Sequence, residues 1–131
     1  MADLPMTDPD APWHAHIYYA PAQRDAASAL RDNLGRLTGA VIFVGRMMDQ
    51  GVGPHPIPQY EIHFREAALP EVIPILEASG LRILVHPLTT DDLADHTTLA
   101  RWLGEPVDLD TTALDPPGIN QGLARFGITD F

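Results

Sequence analysis

The order of the periodic segments constrains this chain most. Residues 13–19, WHAHIYY, read as a strand. Residues 22–37 place Ala26, Leu30, Leu34 and Leu37 at helical spacing, and Gly39 marks the end. Residues 40–48, AVIFVGRMM, are apolar, β-branched and short, which reads as a second strand. DQGVGPHPIP at 49–58 holds Pro54, Pro56 and Pro58 and must be a loop. QYEIHFR at 59–65 alternates cleanly: Tyr60, Ile62 and Phe64 on one face, Glu61, His63 and Arg65 on the other. A second helix is expected over 68–79, with Pro70 in its first turn, Pro74 less comfortable inside it and Gly80 closing it. RILVHP at 82–87 reads as a fourth strand. Residues 89–104 start like a capping box, Thr89 three before Asp92, and are expected to be helical.

The pattern β-α-β-β-α-β is the split βαβ, or ferredoxin-like, arrangement. The expected class is α+β: an antiparallel four-stranded sheet with helices on one face. The length suits one domain, 13–131, ending in an irregular tail from residue 105. Residues 1–12, acidic and proline-rich, read as a flexible N-terminal arm.

Such sheets run in the order four-one-three-two. The first and third strands are expected as parallel central neighbours, with the fourth antiparallel beside the first. Ala15, Ile17, Tyr60, Ile62, Phe64, Ile83 and Val85 suit the helix face, because burying large apolar side chains stabilises by about 1.5–3 kcal/mol each. The open face then carries His14, His16, Tyr18, Glu61, His63, Leu84 and His86. His14, Glu61, the loop residue His55 and His86 are expected at one end of the sheet.

Neutral imidazoles with a carboxylate suit Fe(II), Zn or Mn. Two histidines and one carboxylate leave metal positions open for substrate and O₂, and a further histidine can move protons. Each piece alone is weak. An H-x-H on a half-exposed strand is commonly just its solvent face. His63 is read as solvated or interfacial, and His96 as a surface or capping residue. Tyr18, Tyr60 and Trp102 read as core or interface, and each is also a candidate to line a pocket for an aromatic ligand, Tyr18 and Tyr60 foremost.

Composition narrows the partners. The net charge of −10 argues against nucleic acid and against anionic lipid. Without cysteine there is no disulfide, thiolate site or cysteine nucleophile. No secretory signal and no run of about 18 apolar residues is found, so a soluble cytoplasmic protein is expected.

HAHIYY (14–19), GPHP (53–56) followed by YEIHF (60–64), and LVHPLTTDDLADHTTLARWLG (84–104) together resemble the DOPA 4,5-dioxygenase family. The resemblance runs from about Trp13 to Asp110. It implies a ferredoxin-like homodimer and extradiol cleavage of a catechol, DOPA or a relative, by O₂ at a non-heme metal. His14 and His16 match the H-x-H positions, His55 the G-P-H-P position, His86 the V-H-P position and His96 the D-H-T histidine. His63 is not carried over.

Geometry divides the roles. His14, His16 and His86 are expected to hold Fe(II), with Glu61 the candidate carboxylate and Zn or Mn able to replace iron in isolated protein. His55 and His96 are the candidate proton carriers. The rival reading is a histidine-lined dimer that binds metal or a small molecule without oxygen chemistry. A blander one is a dimer whose open sheet faces simply pack together.

Overall fold

The computed structural model describes residues 8–130; positions 1–7 of the expected arm, and residue 131, lie outside the described residues. The sheet strands are β1 (Pro12–Tyr18), β2 (Val41–Val44), β3 (Gln59–Arg65), β4 (Ile83–Pro87) and β5 (Arg101–Leu103). The helices are α1 (Arg24–Gly35), α2 (Leu69–Ala78), α3 (Asp92–His96) and α4 (Gln121–Arg125). The strand order is β2-β3-β1-β4-β5, and every pair is antiparallel. Element order and strand order agree with the split βαβ plan, extended by one strand.

Two expectations are corrected. First, β1 and β3 run antiparallel, with His14 opposite His63 and His16 opposite Glu61. The crossover through α1 leaves a gap between β1 and β2, and β3 returns into that gap in the opposite direction. Second, the sheet has five strands, because residues 89–104 do not form one helix. α3 stops at His96, where Thr97 leaves helical geometry (φ −127, ψ −84). The chain then pairs Arg101–Leu103 with β4, putting Trp102 opposite Leu84. That covers backbone groups which β4 would otherwise present as a bare edge.

α1 and α2 pack on one face. Ala27, Leu30 and Leu34 of α1 and Leu69, Val72, Ile73 and Leu76 of α2 join Ala15, Ile17, Ile62, Phe64, Ile83 and Val85 in the main core. This is the apolar set that alternation assigned, and its burial is the main source of stability.

The opposite face is not open. Tyr18 and Leu84 are buried against Val107, with Ile57, Trp102 and Leu109 packed around them. The histidines on that face are buried too. The chain's own loop and tail cover the surface whose openness motivated the expected dimer. Residues 9–12 are also tied down: the carbonyls of Pro9 and Ala11 accept from Ala67 and Glu66, and Pro12 begins β1. Among the described residues no helix is long and apolar enough to cross a membrane.

Candidate metal centre

Antiparallel register puts His14 beside both His63 on β3 and His86 on β4. His16 lies two residues along on the same face, opposite Glu61. His14, His16, Glu61 and His86, with His55 from the β2–β3 loop and His96 from α3, line one cavity of about 250 Å³; His63 lies behind them. One ligand atom each from His14, His16 and His86 lies within 4.8 Å of the others. The same holds for His16, His55 and His96, and for His14, Glu61 and His63.

Hydrogen bonds decide which ring nitrogen is free. His86 donates from Nδ1 to the Pro87 carbonyl at 2.7 Å. His16 donates from Nδ1 to Gln59 Oε1 at 3.1 Å. The Nδ1 of His14 lies 3.6 Å from Glu61 Oε2. Carbonyl oxygens only accept, so the Nδ1 of His16 and of His86 carries the hydrogen and their Nε2 atoms keep their lone pairs, whereas the His14–Glu61 approach is too long for a hydrogen bond. The Nε2 atoms of His16 and His86 face each other at 3.0 Å. The Nε2 of His14 is buried with no partner.

Facing lone pairs repel unless a proton or a cation lies between them. Two nitrogens about 2.1 Å from one ion, at a right angle, stand about 3.0 Å apart. The donor set therefore fits a divalent metal. The His16 and His86 rings are also backed by hydrogen-bonded acceptors, the arrangement that orients histidine ligands and raises their basicity. Burial holds the pKa of His14, His16, His55 and His86 well below the ordinary imidazole value, and neighbouring imidazoles push the same way. Neutral rings are what a metal needs.

Glu61 sits behind the trio. It gathers with His14 and His63 rather than with His16 and His86. His63, read from the sequence as solvated, is fully buried. Its Nδ1 accepts the Gly127 N–H at 2.9 Å, so its Nε2 carries the hydrogen and donates to Glu61 Oε2 at 2.6 Å. Its ring stacks on His14, centroids 4.2 Å apart. His63 thus fixes the carboxylate that faces His14. Burial raises the Glu61 pKa; the His63 bond and, more weakly, the Arg125 charge oppose it.

His55 is presented by a tight loop. Its backbone exchanges hydrogen bonds with Val52, and Asp110 N–H donates to the Pro54 carbonyl. Gly53 takes φ +56, and a Cβ at Gly51 would meet the His55 carbonyl oxygen at 2.8 Å. The Tyr18 hydroxyl lies 2.7 Å from His55 Nδ1. Tyr18 therefore backs a site residue rather than lining the cavity. His96 is neither exposed nor a plain cap. It donates from Nδ1 to the Asp92 carbonyl at 2.8 Å, which leaves Nε2 to the cavity side.

Tyr60, the other candidate for substrate contact, does not reach the site. It is buried on the helix face and donates to the Ala27 carbonyl at 2.9 Å. Tyr60→Phe is expected to cost about 0.5–1.5 kcal/mol of stability and to leave metal content unchanged. Urea unfolding beside metal analysis checks this; loss of metal would return Tyr60 to the site.

Sequence reasoning missed Gln59, His63 and the tail. Alternation had placed His63 on the same face as Glu61, and that signal was discounted. The tail carried no periodic signal. Its anchors are polar: Asn120 donates to the Thr89 carbonyl and to Asp95, and Asp115 N–H donates to Asp92. Leu114, Gln121 and Arg125 thereby reach the cavity wall.

The comparisons with known proteins agree with one another. Residues 13–113 match the model of the Dopa 4,5-dioxygenase family. DOPA 4,5-dioxygenase of Amanita muscaria is 34% identical over 128 residues, covering 84% of this chain and 56% of that protein. An uncharacterised 21.2 kDa protein of Botryotinia fuckeliana is 29% identical over 107 residues, covering 72% of this chain and 58% of its own length. The chain thus spans just over half the length of these relatives. A crystal structure from Nostoc punctiforme, provisionally named a dioxygenase, superposes with a TM-score of 0.70 at 37% identity, over 78% of this chain and 89% of that one.

Proposed function

We propose an oxygen-dependent reaction on an aromatic substrate, and the premise is plain: this chain belongs to the Dopa 4,5-dioxygenase family. The specific reading is extradiol ring cleavage of DOPA or a related catechol. The observation that supports it most is the convergence of one ligand nitrogen each from His14, His16 and His86, with His16 and His86 turned Nε2 to Nε2 by acceptors at their Nδ1 atoms.

In this reading those three residues hold Fe(II). Bound there, iron supplies the route by which catecholate electrons reach O₂. The rest is work for the chain. Gln59 and Pro87 keep the His16 and His86 rings turned so that Nε2 faces the cavity, and Glu61 stands beside His14. His96, with its hydrogen on Nδ1, offers Nε2 as the base that takes a catechol proton. Tyr18 steers the His55 ring, which returns a proton as the ring opens. Leu88 and Leu114 line the cavity and keep bulk water from the aromatic ring. All these side chains come from one chain.

Anaerobic reconstitution with Fe(II), then addition of O₂ and a panel of catechols, tests the reading. A yellow ring-cleavage product with matching O₂ uptake is expected. A protein that binds iron and catechol yet consumes no O₂ would overturn it. One observation favours the rival: the trio closes without a carboxylate, and three histidines also suit zinc, which has no redox chemistry. Tight zinc, with O₂ inert under every metal tried, would support binding alone.

A further inference from the structure

We infer that Arg125 reads an anionic substituent on the substrate, so that the pocket selects catechols with a carboxylate side chain and leaves an amino group unread. This rests on the catechol reading above.

The chain has no lysine, and Arg125 is the cationic side chain lining the cavity. It is half-buried, on α4, and positioned by its neighbours. Asn120 caps the helix by accepting from Gly122 N–H, and its amide donates to Thr89 and Asp95. Gln121 is held at both backbone and side chain by Asp115. Gln121 Oε1 in turn accepts from an Arg125 Nη at 3.1 Å. That is the hydrogen bond the Arg125 guanidinium makes among the described residues, where no carboxylate comes within ion-pair distance of it. A guanidinium has five donors in a fork shaped for a carboxylate. Arg125 lines the cavity with most of that capacity unused among the described residues.

The acids around the cavity are in the opposite condition. Glu61 accepts from His63, and Asp92 from Asp115 N–H. Asp115 accepts twice from Gln121, and Asp130 accepts from Arg46 N–H. Each carboxylate is already committed to the chain. An incoming anion therefore finds open donors, whereas an incoming ammonium must compete for acceptors in use. Arg125 also lies beyond residues 13–113, the span matched by the family model.

Binding, not turnover, is the test. The full chain is loaded with Zn(II), and four catechols are titrated by calorimetry: 3-(3,4-dihydroxyphenyl)propanoate, neutral 4-ethylcatechol, cationic dopamine and zwitterionic DOPA. The propanoate is expected to bind about 10- to 100-fold tighter than 4-ethylcatechol, the worth of a charge-assisted hydrogen bond. Dopamine is expected to bind weakest. Arg125→Gln should erase the preference for the propanoate, and Arg125→Lys should keep part of it. Equal affinities for the propanoate and 4-ethylcatechol, or a preference that survives Arg125→Gln, overturns the inference. If no catechol binds, the functional reading falls and this one with it. If the preference holds but no variant or metal gives ring cleavage, the functional reading fails alone.

Discussion

Replacing His14, His16 or His86 with alanine is expected to lower metal affinity by more than about 100-fold, beyond the 10–100-fold that a group merely backing a ligand contributes. Turnover should vanish with the metal. The fold should survive, because the apolar core on the α1/α2 face owes nothing to these rings. Circular dichroism beside metal analysis at limiting metal separates the two effects. His63→Ala should be intermediate. It deprives Glu61 of its 2.6 Å donor and Gly127 of its acceptor, and so loosens the carboxylate behind His14; a roughly 10–100-fold loss of affinity follows. A full metal complement in His16→Ala with an empty His63→Ala protein would move the centre to the His14–Glu61–His63 group.

The second large effect is kinetic. His55→Gln is expected to keep the metal and to cut turnover by about 10²–10⁴-fold, the usual worth of a general acid or base. Its loop is braced at Val52 and Asp110, and Tyr18 holds Nδ1, so glutamine can occupy the position without disturbing the strands. His96→Gln should behave alike. The two rings differ in their backing: a carbonyl acceptor fixes the hydrogen of His96 on Nδ1, whereas a hydroxyl faces His55. The rival set, His16 with His55 and His96, is just as compact. An empty site in His55→Gln would select that set, and His14 would then be the ring that orients a neighbour.

Much of this site was legible. Alternation placed His14, His16, Glu61 and His86 on one face, and the antiparallel fourth strand brought His86 to His14. Strand direction between the first and third strands was misjudged, although the order of elements contains it. β2 lies two places from β1 and parallel to it across the α1 crossover, so β3, which returns between them through residues 45–58, must oppose both. That error removed His63 from the cluster. The tail was illegible for a different reason. Beyond Val107 and Leu109, which pack with Tyr18 and Leu84, the tail is held by caps and single hydrogen bonds, such as Asn120 to Asp95, and such contacts leave no period in a sequence. The 89–104 segment was misread because its opening signal was sound while its end, at Thr97, depended on an edge of β4 that only the fold exposes.

All six histidines lie within residues 13–113, whereas the wall bearing Leu114, Gln121 and Arg125 follows in the chain. The reactive machinery and the wall facing it are written in separate stretches. Under selection they can drift at different rates. A lineage that altered the wall residues while keeping the Gly127 N–H that holds His63 would meet a new compound with an old set of histidines.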